Sequence, residues 1–314
     1  MTGNGKNEPQ GGSSANGKQS KTAAKTSRRE QMRAELLRRQ EQQRRKERIK
    51  LISGIVVVVV ILAAIGTGVA IGTHGGGNSK NSSSTTADAS VTKAVTTIPA
   101  SVIDAVGNGG GVSLVKPTPI SGAPALTADG KPRVLYVGAE YCPYCAAERW
   151  AMVAALSRFG TFSNLGQTSS SSTDAYPNTA TLSFHGATYT SNYLSFTGVE
   201  QTDRNQQPLD KISPADEKIL DTYDTAKYFP GSQGGGIPFI AYGGKFISSG
   251  AMYDPGTLAG LSHAQIAKDL SNPKSSVTKA IVGSANVITS TLCQLTGQKP
   301  ANVCTAAGVK AAAS

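Results

Sequence analysis

The stretch Arg133–Leu156, R-V-L-Y-V-G-A-E-Y-C-P-Y-C-A-A-E-R-W-A-M-V-A-A-L, constrains the chain most. Val134–Val137 is a short apolar run with the make-up of a buried strand. A Gly-Ala-Glu-Tyr turn follows, then Cys142-Pro143-Tyr144-Cys145, then a helix-period pattern. Strand, turn, Cys-x-x-Cys and helix in that order is the setting in which the motif signals thiol–disulfide chemistry.

The turn supplies the physical reason. With Cys142 at the N-cap, Pro143 falls at the first helical position, where its missing N–H costs nothing and its fixed φ suits the helix. The Cys142 sulfur then faces unpaired N–H groups and the positive end of the helix, and both favour the thiolate. Cys145 lies one turn further in, shielded and placed to attack a mixed disulfide on Cys142. The spacing therefore predicts Cys142 as nucleophile and Cys145 as resolving thiol, with Pro143 and Tyr144 shaping the motif.

The chain carries a net charge of +11, but residues 1–50 hold 14 Lys and Arg against 5 Asp and Glu, so the excess belongs to a tail. Its composition predicts disorder at first and a solvated helix from Ser27 to Lys50. The run has no interleaved aromatics, and nucleic acid is not expected as a partner. Leu51–Gly72 is free of charge over 22 positions and contains I-V-V-V-V-V-I-L. That length suits a transmembrane helix; a cleaved signal peptide is the rival reading. The positive-inside rule puts residues 1–50 in the cytoplasm and the remainder outside, as a single-pass protein of the plasma membrane. Residues 73–94 are expected as a flexible linker and residues 95–314 as one domain. All four cysteines then lie in a compartment that permits disulfides.

Within that domain the helix after Cys145 is expected to turn Trp150, Met152, Val153, Leu156 and Phe159 to the core, with Glu148 and Arg149 facing solvent. Ala175–Thr202 reads as one hairpin or two short strands, with His185 structural in a turn. Ser213-Pro214-Ala215-Asp216 opens a helix expected to reach about Lys227. Gly231–Gly236 lacks the Lys-Ser/Thr of a phosphate loop. It leads into Ile237–Ile247, two apolar strands joined at Gly243-Gly244. His263 opens a late helix and is read as local. Cys293 and Cys304 are expected to form a structural disulfide closing a short loop. A second redox pair is the sharper alternative, and a four-Cys zinc site does not fit the spacing. No metal and no cofactor are expected.

The order strand, C-P-Y-C, helix, strand, helix, Ile-Pro, hairpin, helix resembles the thioredoxin superfamily, with the glutaredoxin form of the tetrapeptide. More narrowly, G-A-E-Y-C-P-Y-C-A-A-E-R-W, G-G-I-P-F-I and the late cysteine pair look like the prokaryotic domain-of-unknown-function family 929. The resemblance implies an α/β, thioredoxin-like mixed sheet with flanking helices, an insertion, a helical C-terminal extension and a preceding membrane helix. It makes Pro238 the counterpart of a cis-proline facing the motif, so that Ile237 offers its backbone to an incoming peptide. Where many glutaredoxins have a Lys just upstream of the motif, this chain has Glu140, which argues against glutathione as co-substrate. The activity implied is a membrane-anchored thiol–disulfide oxidoreductase outside the cytoplasm. Its partners would be a cysteine-containing protein substrate and an unidentified redox partner. The alternative is a redox-inactive binding or scaffold module of the same fold.

Overall fold

The computed structural model describes residues 84–230, 232 and 234–313. The basic tail, the expected membrane helix at 51–72 and the first part of the linker lie outside the described residues. Among the described residues no helix is long and apolar enough to cross a membrane.

In chain order the elements are β1 (Thr85–Thr86), α1 (Ala89–Thr96), α2 (Ala100–Val106), β2 (Thr118–Pro119), β3 (Thr127–Ala128) and β4 (Lys131–Gly138). Next come α3 (Pro143–Leu156), β5 (Gly160–Ser163), β6 (Gly166–Ser169), β7 (Ala180–Ser183), β8 (Thr188–Ser191) and β9 (Ser195–Glu200). The chain continues through α4 (Pro214–Tyr223), β10 (Phe239–Tyr242), β11 (Phe246–Ser249), a 3-10 turn (Pro255–Leu258), α5 (His263–Asp269) and α6 (Ser276–Leu295). It ends with α7 (Ala301–Cys304) and α8 (Ala307–Ala313).

The architecture is mixed α/β, built on β4. β4 pairs antiparallel with β10 (Val137 opposite Phe239) and parallel with β9 (Gly138 opposite Glu200). β10 turns into β11 through the three residues Gly243-Gly244-Lys245, with Tyr242 opposite Phe246; Gly243 and Gly244 have φ of 58° and 74°, in the left-handed region that glycine accepts without cost. β2 closes that edge, and β3 folds back on the first residues of β4. Two smaller sheets, β1–β6–β7 and β5–β8, complete the strands.

β4 is buried on both faces, and its side chains alternate between two cores. Val134 and Tyr136 point to the larger one with Ile240 and Tyr242; Leu135 and Val137 point to the smaller one with Phe239 and Ala241. Against the larger face lies α3, and against α3 lies α6. A helix packed on two sides needs no polar face, and α3 has only Tyr144 outside the core. The reading that gave Glu148 and Arg149 to solvent is therefore corrected: both are fully buried, Glu148 turned to the Met252 N–H after β11 and Arg149 to Glu200 at the end of β9. Gly283 permits close packing of α6, since a Cβ there would meet the Gly109 backbone.

Three further expectations change. Residues 85–94, given to a linker on composition, carry β1, which pairs with β6, and most of α1, which Asp88 caps through the Ser90 N–H. α4 stops at Tyr223, short of Lys227. Ala175–Thr202 holds three strands, the last of which is the parallel neighbour of β4. Cys293, near the end of α6, is disulfide-bonded to Cys304 of α7, with the Cα atoms 5.7 Å apart.

Candidate active site

The turn between β4 and α3 is fixed by backbone bonds on both sides. Gln201 N–H donates to Gly138 C=O, Glu140 N–H to Thr202 C=O, and Ser171 N–H to Tyr141 C=O. Cys142 is the N-cap of α3, in extended backbone, with Pro143 next. Its sulfur accepts the Cys145 N–H at 3.3 Å and lies 3.6 Å from the Ile237 carbonyl oxygen, to which the thiol donates. The Ile237–Pro238 peptide bond is cis. The structure thus brings Cys142, Pro143, Tyr144, Cys145, Ile237 and Pro238 to one place. Cys293 and Cys304 lie apart from it on α6 and α7.

The two thiols differ sharply. Cys142 is held below the ordinary thiol range, foremost by a hydrogen bond from the Cys145 thiol. Burial works against this; the Cys145 N–H, the Arg149 charge and the Tyr144 N–H add to it. Cys145 is pushed well up, first by burial and then by the same bond, which keeps the proton on Cys145. The sequence argument placed the helix N–H groups first; here the partner thiol outweighs them.

Behind the motif sits a charged cluster that the sequence did not suggest. Arg149 Nε and Nη2 donate to both oxygens of Glu200, at 2.8 and 2.6 Å, and Nη2 also donates to the Ala139 carbonyl at 2.7 Å. Both side chains are fully buried. Burial opposes the Arg149 charge, but Glu200 more than restores it. Arg149 Nη1 and the Tyr136 hydroxyl are buried without a partner. Glu200 ends the strand beside β4, so a carboxylate at the carboxyl end of a sheet strand was the signal available.

Glu140 also turns inward: Ser183 Oγ donates to it at 2.6 Å and Thr168 Oγ1 at 3.3 Å. It places no charge at the mouth of the site, so its identity carries no weight against glutathione. Glu148 accepts the Met252 N–H at 2.9 Å, while its other oxygen is buried and unpaired; burial raises its pKa to about 7.

The histidines stand elsewhere. His185 Nδ1 lies 2.7 Å from Asp210, an acidic partner 25 residues on that the sequence reading did not find. His263 Nε2 lies between the backbones of Thr168 and Thr181 at 2.8–3.0 Å, pinning α5 to the β6–β7 sheet. Among the described residues no group of three or more His, Cys, Asp or Glu side chains is placed to hold a metal ion.

No similar curated protein and no similar solved structure is found. The family described as Domain of unknown function (DUF929) matches residues 120–294, a span that includes Cys142, Cys145, Ile237, Pro238 and Cys293. That span exceeds half of the chain, and the protein belongs to this family.

Proposed function

We propose that the protein is a thiol–disulfide oxidoreductase of thioredoxin-like fold that acts on the cysteines of other proteins. The observation that carries the reading is the Cys142 sulfur at the head of α3. It is favoured as thiolate, backed by a protonated Cys145, and lies 3.6 Å from the Ile237 carbonyl. The charge pattern of residues 1–72 supports a domain anchored by 51–72 and exposed outside the cytoplasm.

The exchange proceeds in two displacements. The Cys142 thiolate attacks one sulfur of a substrate disulfide; that S–S bond breaks, and the other substrate sulfur leaves as a thiolate and takes a proton. Cys145 then loses its proton and attacks the Cys142 sulfur of the mixed disulfide. The second substrate thiol departs, and the Cys142–Cys145 disulfide remains. Two electrons have passed from the protein dithiol to the substrate. Run backwards, a substrate dithiol is oxidised by the protein disulfide. Ile237 presents a backbone acceptor to the segment carrying the attacked cysteine, in the manner of strand addition.

The test uses the full chain in detergent, equilibrated across a series of thiol/disulfide buffers. Free thiols are trapped with an alkylating mass tag and located by peptide mass. Joint titration of Cys142 and Cys145 while Cys293 and Cys304 stay protected supports the reading, and the midpoint gives the direction. A Cys142–Cys145 pair that never forms a disulfide, or never yields one to thiols, refutes it.

A further inference from the structure

Cys142 is almost enclosed: the residue is only 5% exposed, whereas its neighbour Tyr144 stands out at 43%. Two segments lie beside the motif. On one side is the segment 170–179, tied to the motif by the Ser171 N–H on the Tyr141 carbonyl at 2.8 Å. It carries Tyr176, whose ring meets Tyr144 edge to face with centroids 6.2 Å apart. On the other side is the segment after β11. It is held by the Met252 N–H on Glu148 and presents Asp254, which caps the 3-10 turn through the Gly256 N–H at 2.8 Å. The Tyr176 ring lies over Gly256, where a Cβ would come within 3.1 Å of the ring and 3.2 Å of the Asp254 carboxylate, so the two side chains are neighbours. Asp174, half-buried, lies two residues before Tyr176 on the same segment. Arg204, the cation bound to this segment, is engaged by Asn178 Oδ1 at 2.7 Å and the Ser170 carbonyl at 3.3 Å.

Two physical features follow. Tyr144 and Tyr176 offer aromatic surface suited to cation–π contact. The carboxylates of Asp174 and Asp254 stand beside them and repel anions. We infer that this surface recognises the substrate as an extended polypeptide segment with a basic side chain next to the exchanging cysteine. That side chain lies on Tyr144 and Tyr176 with its charge towards Asp254 and Asp174, while the segment's backbone meets Ile237. The inference rests on the oxidoreductase reading and adds to it a substrate class: cationic protein thiols or disulfides, in preference to anionic small thiols such as glutathione.

The experiment measures second-order exchange rates of the full chain in detergent with three disulfide-bonded fluorogenic peptides. They differ only in Arg, Ala or Glu beside the cysteine. The Arg peptide is expected to exchange about tenfold faster than the Glu peptide. Asp174→Asn with Asp254→Asn brings the ratio to within about twofold, and about 0.5 M salt does the same to the native protein. Tyr176→Leu slows the Arg peptide more than the Glu peptide. Iodoacetamide alkylation of Cys142 is measured in each variant alongside, and each exchange rate is compared relative to it, so that a change in thiol reactivity common to all three peptides drops out of their ratio. Equal rates for the three peptides, or a ratio that neither the double variant nor salt moves, overturns the inference and leaves the oxidoreductase reading standing. Failure of all three peptides to exchange overturns both.

Discussion

Arg149 and Glu200 form a two-point ion pair, at 2.6 and 2.8 Å, with no exposure of either side chain, directly behind the Cys142 turn. Such a pair brings little net stability, because the cost of removing both charges from water offsets their attraction, yet breaking it strands a charge. Glu200→Leu alone is therefore expected to destabilise the fold by about 3–5 kcal/mol. Arg149→Met with Glu200→Leu should cost much less. Urea unfolding followed by circular dichroism makes the comparison. If the double variant is the less stable of the two, the pair is structural in a way this argument does not capture. The double variant should also raise the pH at which Cys142 becomes reactive to iodoacetamide, since the Arg149 charge is among the groups that favour its thiolate.

Glu148 predicts a pH dependence of stability. Burial lifts its carboxyl from 4.5 to about 7. An acid whose pKa is higher folded than unfolded binds more protons in the folded state between those two values. Stability should therefore fall as pH rises from about 4.5 to about 7, by about 3 kcal/mol from this group. Glu148→Gln keeps an oxygen for the Met252 N–H and removes the titration. The difference in stability between native protein and variant should be small near pH 4 and favour the variant above pH 7. A difference that does not change with pH would sink the assignment.

The order of the two thiols gives a third expectation. Cys142 is favoured as thiolate foremost by the Cys145 thiol, and Cys145 is buried and disfavoured. In the reduced native protein, iodoacetamide at neutral pH should label Cys142 and leave Cys145 intact. Cys145→Ala removes the largest favourable contact but keeps the backbone N–H at that position. Cys142 labelling at neutral pH should slow, and its pH profile should move upward. A profile unchanged in the variant would return the leading role to the helix N–H groups.

Much of the site was legible because its parts are local. A strand, a turn, an N-cap cysteine and a helix-opening proline interact within a dozen residues, and Ile237-Pro238 announced itself as a proline at the head of an apolar strand. What was not legible depends on layers. Glu148 and Arg149 occupy positions that an amphipathic helix gives to water; the groups that receive them inside, the Met252 N–H and the Glu200 carboxylate, come from segments far along the chain. Glu200 meets Arg149 because β9 runs parallel to β4, and a parallel neighbour leaves no short-range signature. The strand and helix within 85–94 were hidden for the opposite reason. Small polar residues there resemble a linker, and the contacts that order them come from β6 and α5.

From Val134 to Leu156 only Tyr141 and Tyr144 escape burial. A stretch enclosed to that degree has almost no freedom to drift: nearly every replacement within it creates a cavity, a clash or a stranded charge. Asp174, Tyr176 and Asp254 themselves are not buried, although the segments that carry them are anchored by buried neighbours such as Ser171, Met252 and Tyr253. Replacement at Asp174, Tyr176 or Asp254 should therefore cost the fold less than replacement within the enclosed stretch, so these positions can vary while the strand, turn and helix beneath them stay as they are.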